Sequence, residues 1–108
     1  MRAHLWIALI VSACASAPQP LPNEEVRASQ AAISQAEQAG ARDDPRAAPY
    51  LARAREQQQE ADRAFLRRDL ERAASLLRVA QANAELAASL ARESRARAEA
   101  AAFQRRQP

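Results

Sequence analysis

In this chain of 108 residues Gly, Cys, His, Trp and Tyr each occur once, and Lys does not occur at all. Each scarcity excludes something. A β-sandwich or barrel needs β-branched and aromatic strands joined by glycine turns, and neither is present in quantity. One cysteine closes no intramolecular disulfide. His4 and Trp6 both fall within the first six residues, so a chain that loses its leader keeps no histidine. Few groups then remain to serve as nucleophile or general base. No Gly-rich phosphate loop and no Ser-His-Asp set occurs. The chain reads as a non-enzyme without a cofactor or metal. What it has in abundance is alanine, at 30 positions. Alanine is the best helix former, and the expectation is an all-α fold.

The N-terminus reads as an address. Met1-Arg2-Ala3-His4 is a short basic start, and Leu5 to Val11 is an unbroken apolar run. Small residues follow, as in a secretory leader. The run is far short of the roughly 20 residues that span a bilayer. Cys14, directly after Val11-Ser12-Ala13, resembles the lipobox of bacterial lipoproteins. That resemblance implies a diacylglycerol on the Cys14 thiol, cleavage before it and acylation of the new amine. Several acyl chains together hold a protein to a membrane where one holds it marginally. It also implies residence at the periplasmic face of the outer membrane, because Ala15 stands where an inner-membrane retention signal would carry Asp. An ordinary cleavage site beside a chance cysteine is the plainer alternative. Residues 1–13 are thus a leader. Residues 14–22 are the lipidated cysteine and a tether with three prolines, reaching roughly 25 Å at about 3.1 Å per residue.

Residues 23–104 should form the helical domain, with 105–108 as a tail. A first helix is expected from Asn23 as N-cap, with Glu24 and Glu25 opposing the positive helix end. Val26, Ala32, Ile33, Ala36 and Ala39 make its apolar stripe, and Gly40 is the stop. Ala41–Ala48, broken by Pro45, reads as loop. A second helix should run from Pro49, at the first helical position, to Arg67. Its stripe is Leu51, Ala54, Ala61 and Phe65, interrupted by Gln58. After a tight turn at Arg68-Asp69, with Asp69 as cap, a third helix runs from Leu70 to near Gln104.

On a helical projection of that third helix, Leu70, Ala73, Leu77, Ala80 and Ala84 share one side. Leu76, Val79, Leu86 and Leu90 continue round the next, so the apolar arc is about 200°, twice the usual width. Arg72 and Asn83 intrude on it. The opposite face carries Glu71, Ser75, Arg78, Glu85, Ser89 and Glu93. An arc that wide needs two neighbours, and the first helix offers only Val26 and Ile33 beyond alanine. The row Leu76, Val79, Leu86 and Leu90 is therefore the candidate partner surface, for an envelope protein or for a second copy of the chain. The fold expected is a short antiparallel helical bundle or hairpin with a long third helix.

Ala31-Ala32 through Ala36 and Gly40, then Ala48-Pro49-Tyr50-Leu51 with Ala54, then Arg68-Asp69-Leu70 with Ala73-Ala74 and Leu77, resemble small bacterial envelope proteins classed as domain of unknown function 4398. The likeness spans roughly Asn23 to Leu90, with Leu70 standing where that family usually carries an aromatic. It implies a helical hairpin in the envelope, often lipid-anchored, with no established activity. The hairpin at Asp69 also looks like one tetratricopeptide unit, but that repeat needs about three copies to bury its face.

The basic residues are all arginine, and the sequence pI is about 10.4. Nucleic acid is nevertheless not the expected partner, because thirteen acids are interleaved with the sixteen arginines. Arg67-Arg68 and Arg105-Arg106 suit helix C-termini. Asp43-Asp44 is an acidic pair with no third ligand at metal spacing. The expectation is a lipid-anchored adaptor that presents a helical surface. A self-assembling coiled-coil spacer, comparable to the major murein lipoprotein, is the competing reading. A single tetratricopeptide-like peptide-binding module is the other.

Overall fold

The computed structural model describes residues 21–108. The leader, Cys14 and the tether up to Pro20 lie outside the described residues. Helix takes up 84% of what is described, and no strand occurs there. Three helices follow in order: α1 (Asn23–Gln38), α2 (Ala48–Leu66) and α3 (Leu70–Arg105), with a 3-10 turn at Ala41–Asp43. The fold is all-α with a long third helix, as the sequence predicts.

α3 is the spine. α1 and α2 both pack along it and touch each other far less. Glu25 meets Arg78 and the Ala39 carbonyl meets Arg95, so α1 runs parallel to α3. Gln57 meets Asn83 and Arg46 meets Glu93, so α2 runs antiparallel. The bundle closes near Arg95. The last ten helical residues of α3 project past it by about 15 Å at the helical rise.

The helix ends show what the local sequence does. α1 begins one residue away from the expected arrangement: Asn23 is the first helical residue, and Pro22 holds the cap position with no side-chain cap. Pro22 is buried beside Leu70 and Ala74, and its carbonyl accepts from the Val26 amide at 3.0 Å. Docking of the proline, with its fixed φ, sets the start. At the other end Gly40 adopts φ 89° and its amide donates to the Glu37 carbonyl at 3.0 Å, the expected glycine stop.

The segment read as loop is wound. Asp44 has extended backbone (φ −94°, ψ 117°), and its Oδ1 accepts from the amides of Arg46 (2.8 Å) and Ala47 (3.3 Å). Its carbonyl accepts from Ala48 at 2.8 Å. This is N-cap geometry, and it starts the chain turning before α2 proper. Hence α2 opens at Ala48 and Pro49 is its second residue, not its first. The winding buries Ala41 and Ala47 completely.

The α2–α3 turn matches the expectation for Asp69, whose Oδ1 accepts from the Arg72 amide at 3.2 Å. The chain reaches it through a Schellman closure. Arg68 donates to the Phe65 carbonyl and Asp69 to the Ala64 carbonyl, both at 2.9 Å. Arg68 carries φ 59°, the left-handed conformation that Gly40 supplies at the end of α1.

The core is made of alanine. Among the described residues, the buried apolar side chains larger than alanine are Pro22, Ile33, Leu51 and Leu77. Small side chains let helix axes approach toward the short end of the usual 8–10 Å. Two expectations about stripes change as a result. On α2, Ala64 is buried and Phe65 only half-buried, because the close seam has no room for a ring. On α3 the buried positions are Ala73, Leu77, Ala80, Ala84, Ala87, Ala88 and Ala91. They span about 100° of helix, not 200°. Two closely approaching helices cover less of α3 than two leucine-packed ones would.

Candidate functional site

With the buried arc narrowed, the candidate row on α3 divides. Leu76 and Leu90 are half-buried, and Leu90 packs against the core beside Tyr50. Val79 and Leu86 are open, 45% and 41% exposed. Arg72, expected as an intruder, is solvated. Asn83 is held at the α2 seam, where its Nδ2 donates to Gln57 Oε1 at 2.8 Å.

The open residues belong to a longer feature. Phe103, near the far end of α3, is 62% exposed. Val79, Leu86 and Phe103 are the exposed large apolar residues of α3, and all three fall on one heptad track, which winds round the helix by about 20° per heptad. Steps of four and three residues link Ser75, Val79, Ala82, Leu86 and Ser89. The same steps continue through Glu93, Ala96 and Ala100 to Phe103. This is the a/d spacing of a coiled-coil seam. Every position on it faces solvent except Glu93, which is half-buried and paired with Arg46 and Arg97. The projection of large side chains alone missed it, since small residues fill the seam between them; the heptad spacing was the available signal.

Beside Glu93, where the α1–α2 connection meets α3, is a shallow depression lined by Gly40, Asp43, Asp44, Arg46, Ser94 and Arg95. Its polar groups are engaged in holding the loop. The Asp44 carboxyl lies below the usual carboxylate range, chiefly because the Ser94 hydroxyl favours its charged form, followed by the amides of Arg46 and Ala47 and the Arg46 charge. Desolvation opposes them, outweighing the Ala47 amide and the Arg46 charge but not the first two. Arg95 Nη2 donates to the Ala39 carbonyl at 3.2 Å, covering the C-terminal end of α1. These contacts tie the α1–α2 connection to α3.

One buried polar contact went unread in the sequence. Ser29 is fully buried on α1; its Oγ donates to the Val26 carbonyl at 3.0 Å and accepts from Gln58 Nε2 at 3.3 Å. Gln58 had shown itself as the interruption in the α2 stripe, and Ser29 is its partner. The pairing satisfies both groups across the α1–α2 contact.

Among the described residues no helix is long and apolar enough to cross a membrane. No family model, no curated protein and no solved structure matches the chain. The fold defines it as an alanine-packed three-helix bundle whose spine outruns the bundle and carries a smooth outer seam.

Proposed function

We propose that this protein is a lipid-anchored helical adaptor of a bacterial cell envelope, held at the periplasmic face of the outer membrane through Cys14. In this reading it presents the outer face of α3 to a protein partner. The observation that carries it is the α3 seam, where Val79, Leu86 and Phe103 stay open on a helix otherwise rich in charge. An exposed apolar line of this kind suits the groove or helix of a partner. The anchor rests on Val11-Ser12-Ala13-Cys14 at the end of a basic and apolar leader. The chain itself performs no chemistry in this reading and binds no nucleic acid.

The test of the anchor is direct. Cys14→Ala, or inhibition of the lipoprotein signal peptidase, should leave unprocessed or soluble protein, read by mass and by membrane fractionation. A Cys14→Ala chain that is cut normally and stays with the outer membrane would sink the anchor.

A further inference from the structure

We propose that the partner of the α3 seam is a second copy of the chain, lying antiparallel about a two-fold axis that crosses the seam between Leu86 and Ser89, at the level of Ala87 and Ala88. The proposal rests on the reading of the outer face of α3 as an interaction surface, and names its occupant.

The charges beside the seam choose both the partner and its direction. Along the α1 side of the seam stand Arg78, Glu85, Arg92 and Glu99, one every seventh residue, and all are exposed. Their sign alternates. When two such helices pair antiparallel, this flank meets the same flank of the other copy. Centring the axis at the level between Ala87 and Ala88 brings Arg78, which also meets Glu25 of its own chain, within two residues' rise (about 3 Å along the helix) of Glu99 of the second copy, and Glu85 as near to its Arg92. Every contact along this flank is then between opposite charges. Slipping one heptad either way reverses this, giving Glu85 against Glu85 or Arg92 against Arg92. A parallel pair stacks Glu93 on Glu93 at the seam and sets Arg92 beside Arg97. Flanking charges of this kind set orientation and register in coiled coils.

The packing agrees with that register. Val79 falls against Ala96 of the second copy, Leu86 against Ser89, and Glu93 against Ala82. Each larger side chain meets a small one, as in the alanine seams within the bundle. Glu93, already held by Arg46 at 3.5 Å and by Arg97, gains space over Ala82. Phe103 falls beside Arg72, a cation–π arrangement. From Ser75 to Phe103 the seam is about 42 Å long at the helical rise, and it uses the projecting end of α3. The contact is isologous and closes on itself. It also places the starts of the two α1 helices at opposite ends, about 40 Å apart by the same rise. The tethered dimer would then lie along the membrane surface.

Disulfide trapping in intact envelopes tests this with the full chain. Val79→Cys and Ala96→Cys are made in separately tagged copies. Co-expression should yield a mixed covalent dimer, and neither copy alone should yield a dimer through its introduced cysteine. Homodimers of each variant alone, or no mixed dimer, overturn the proposal. Glu85→Arg and Arg92→Glu should each reduce trapping about tenfold, and the double reversal should restore it. Residues 85 and 92 lie two turns apart in one helix, so restoration can arise only between copies. Trapping unaffected by Glu85→Arg also overturns the proposal. The two readings separate through Leu86→Asp, with circular dichroism as the folding check. A folded variant that loses a crosslink to another envelope protein, in a chain that never traps itself, removes the second copy and keeps the interaction face. A variant that unfolds removes both.

Discussion

The inner and outer faces of α3 are drawn from the same few residue types, yet only one of them is core. The inner face carries Leu77 among alanines with almost no exposure. The outer face carries Val79, Leu86 and Phe103 among serines and alanines, facing water. The lesson is that in an alanine-rich helix apolar content does not identify the core. What separates the faces is where α1 and α2 come to rest. Their close approach covers a narrow arc and leaves a second one open.

Substitutions on the two faces can break this contrast. Leu77→Ala should cost about 2–5 kcal/mol in chemical denaturation, since it empties one of the few large buried positions. Leu86→Ala should leave monomer stability within about 0.5 kcal/mol. Equal costs would mean that the faces are misassigned. Enlargement probes the same difference from the other side. Ala84 has no exposure, so Ala84→Leu should cost about 1–3 kcal/mol by forcing α3 away from its neighbours. Ala82→Leu, two residues away on the outer face, should leave the stability of the monomer within about 0.5 kcal/mol of the parent chain.

The contrast sharpens at the turns that hold α2 and the loop on the inner side. Arg68 occupies a left-handed conformation that costs a residue with a Cβ about 1–2 kcal/mol. Arg68→Gly should recover about 0.5–1 kcal/mol after the added freedom of the unfolded chain. The gain should appear in the melting temperature without altering properties of the outer face. The smallest effect concerns acid. The Asp44 carboxyl is lowered in the folded protein from an ordinary value of 3.8. Its contribution is therefore complete above that value and fades as pH falls through the folded one. Asp44→Asn should flatten the loss of stability below about pH 4 and change little at neutral pH. An unchanged acid profile would detach Asp44 from the packing of the loop on α3.

Much of this was legible because it is local. Gly40 as a stop, Asp69 as a cap and the uninterrupted run from Leu70 each depend on neighbours within a turn. The errors fall where a distant contact intervened. Pro22 replaced Asn23 at the first cap because it docks near Leu70. The cap at Asp44 advanced the winding toward α2, and Ser94, fifty residues on, lines the same depression and favours the charged carboxyl. Phe65 gave way to Ala64 because the α2–α3 seam is too close for a ring.

The sequence by itself determined that the described chain would be helical, where its helices break and how long the third would be. Alanine content, one glycine and a few caps act within a single turn, and that is enough. Only the tertiary structure decided which apolar row on α3 became core. That outcome depends on the distance and angle at which α1 and α2 settle, and a helix whose sides are nearly all small offers no large side chains to announce them.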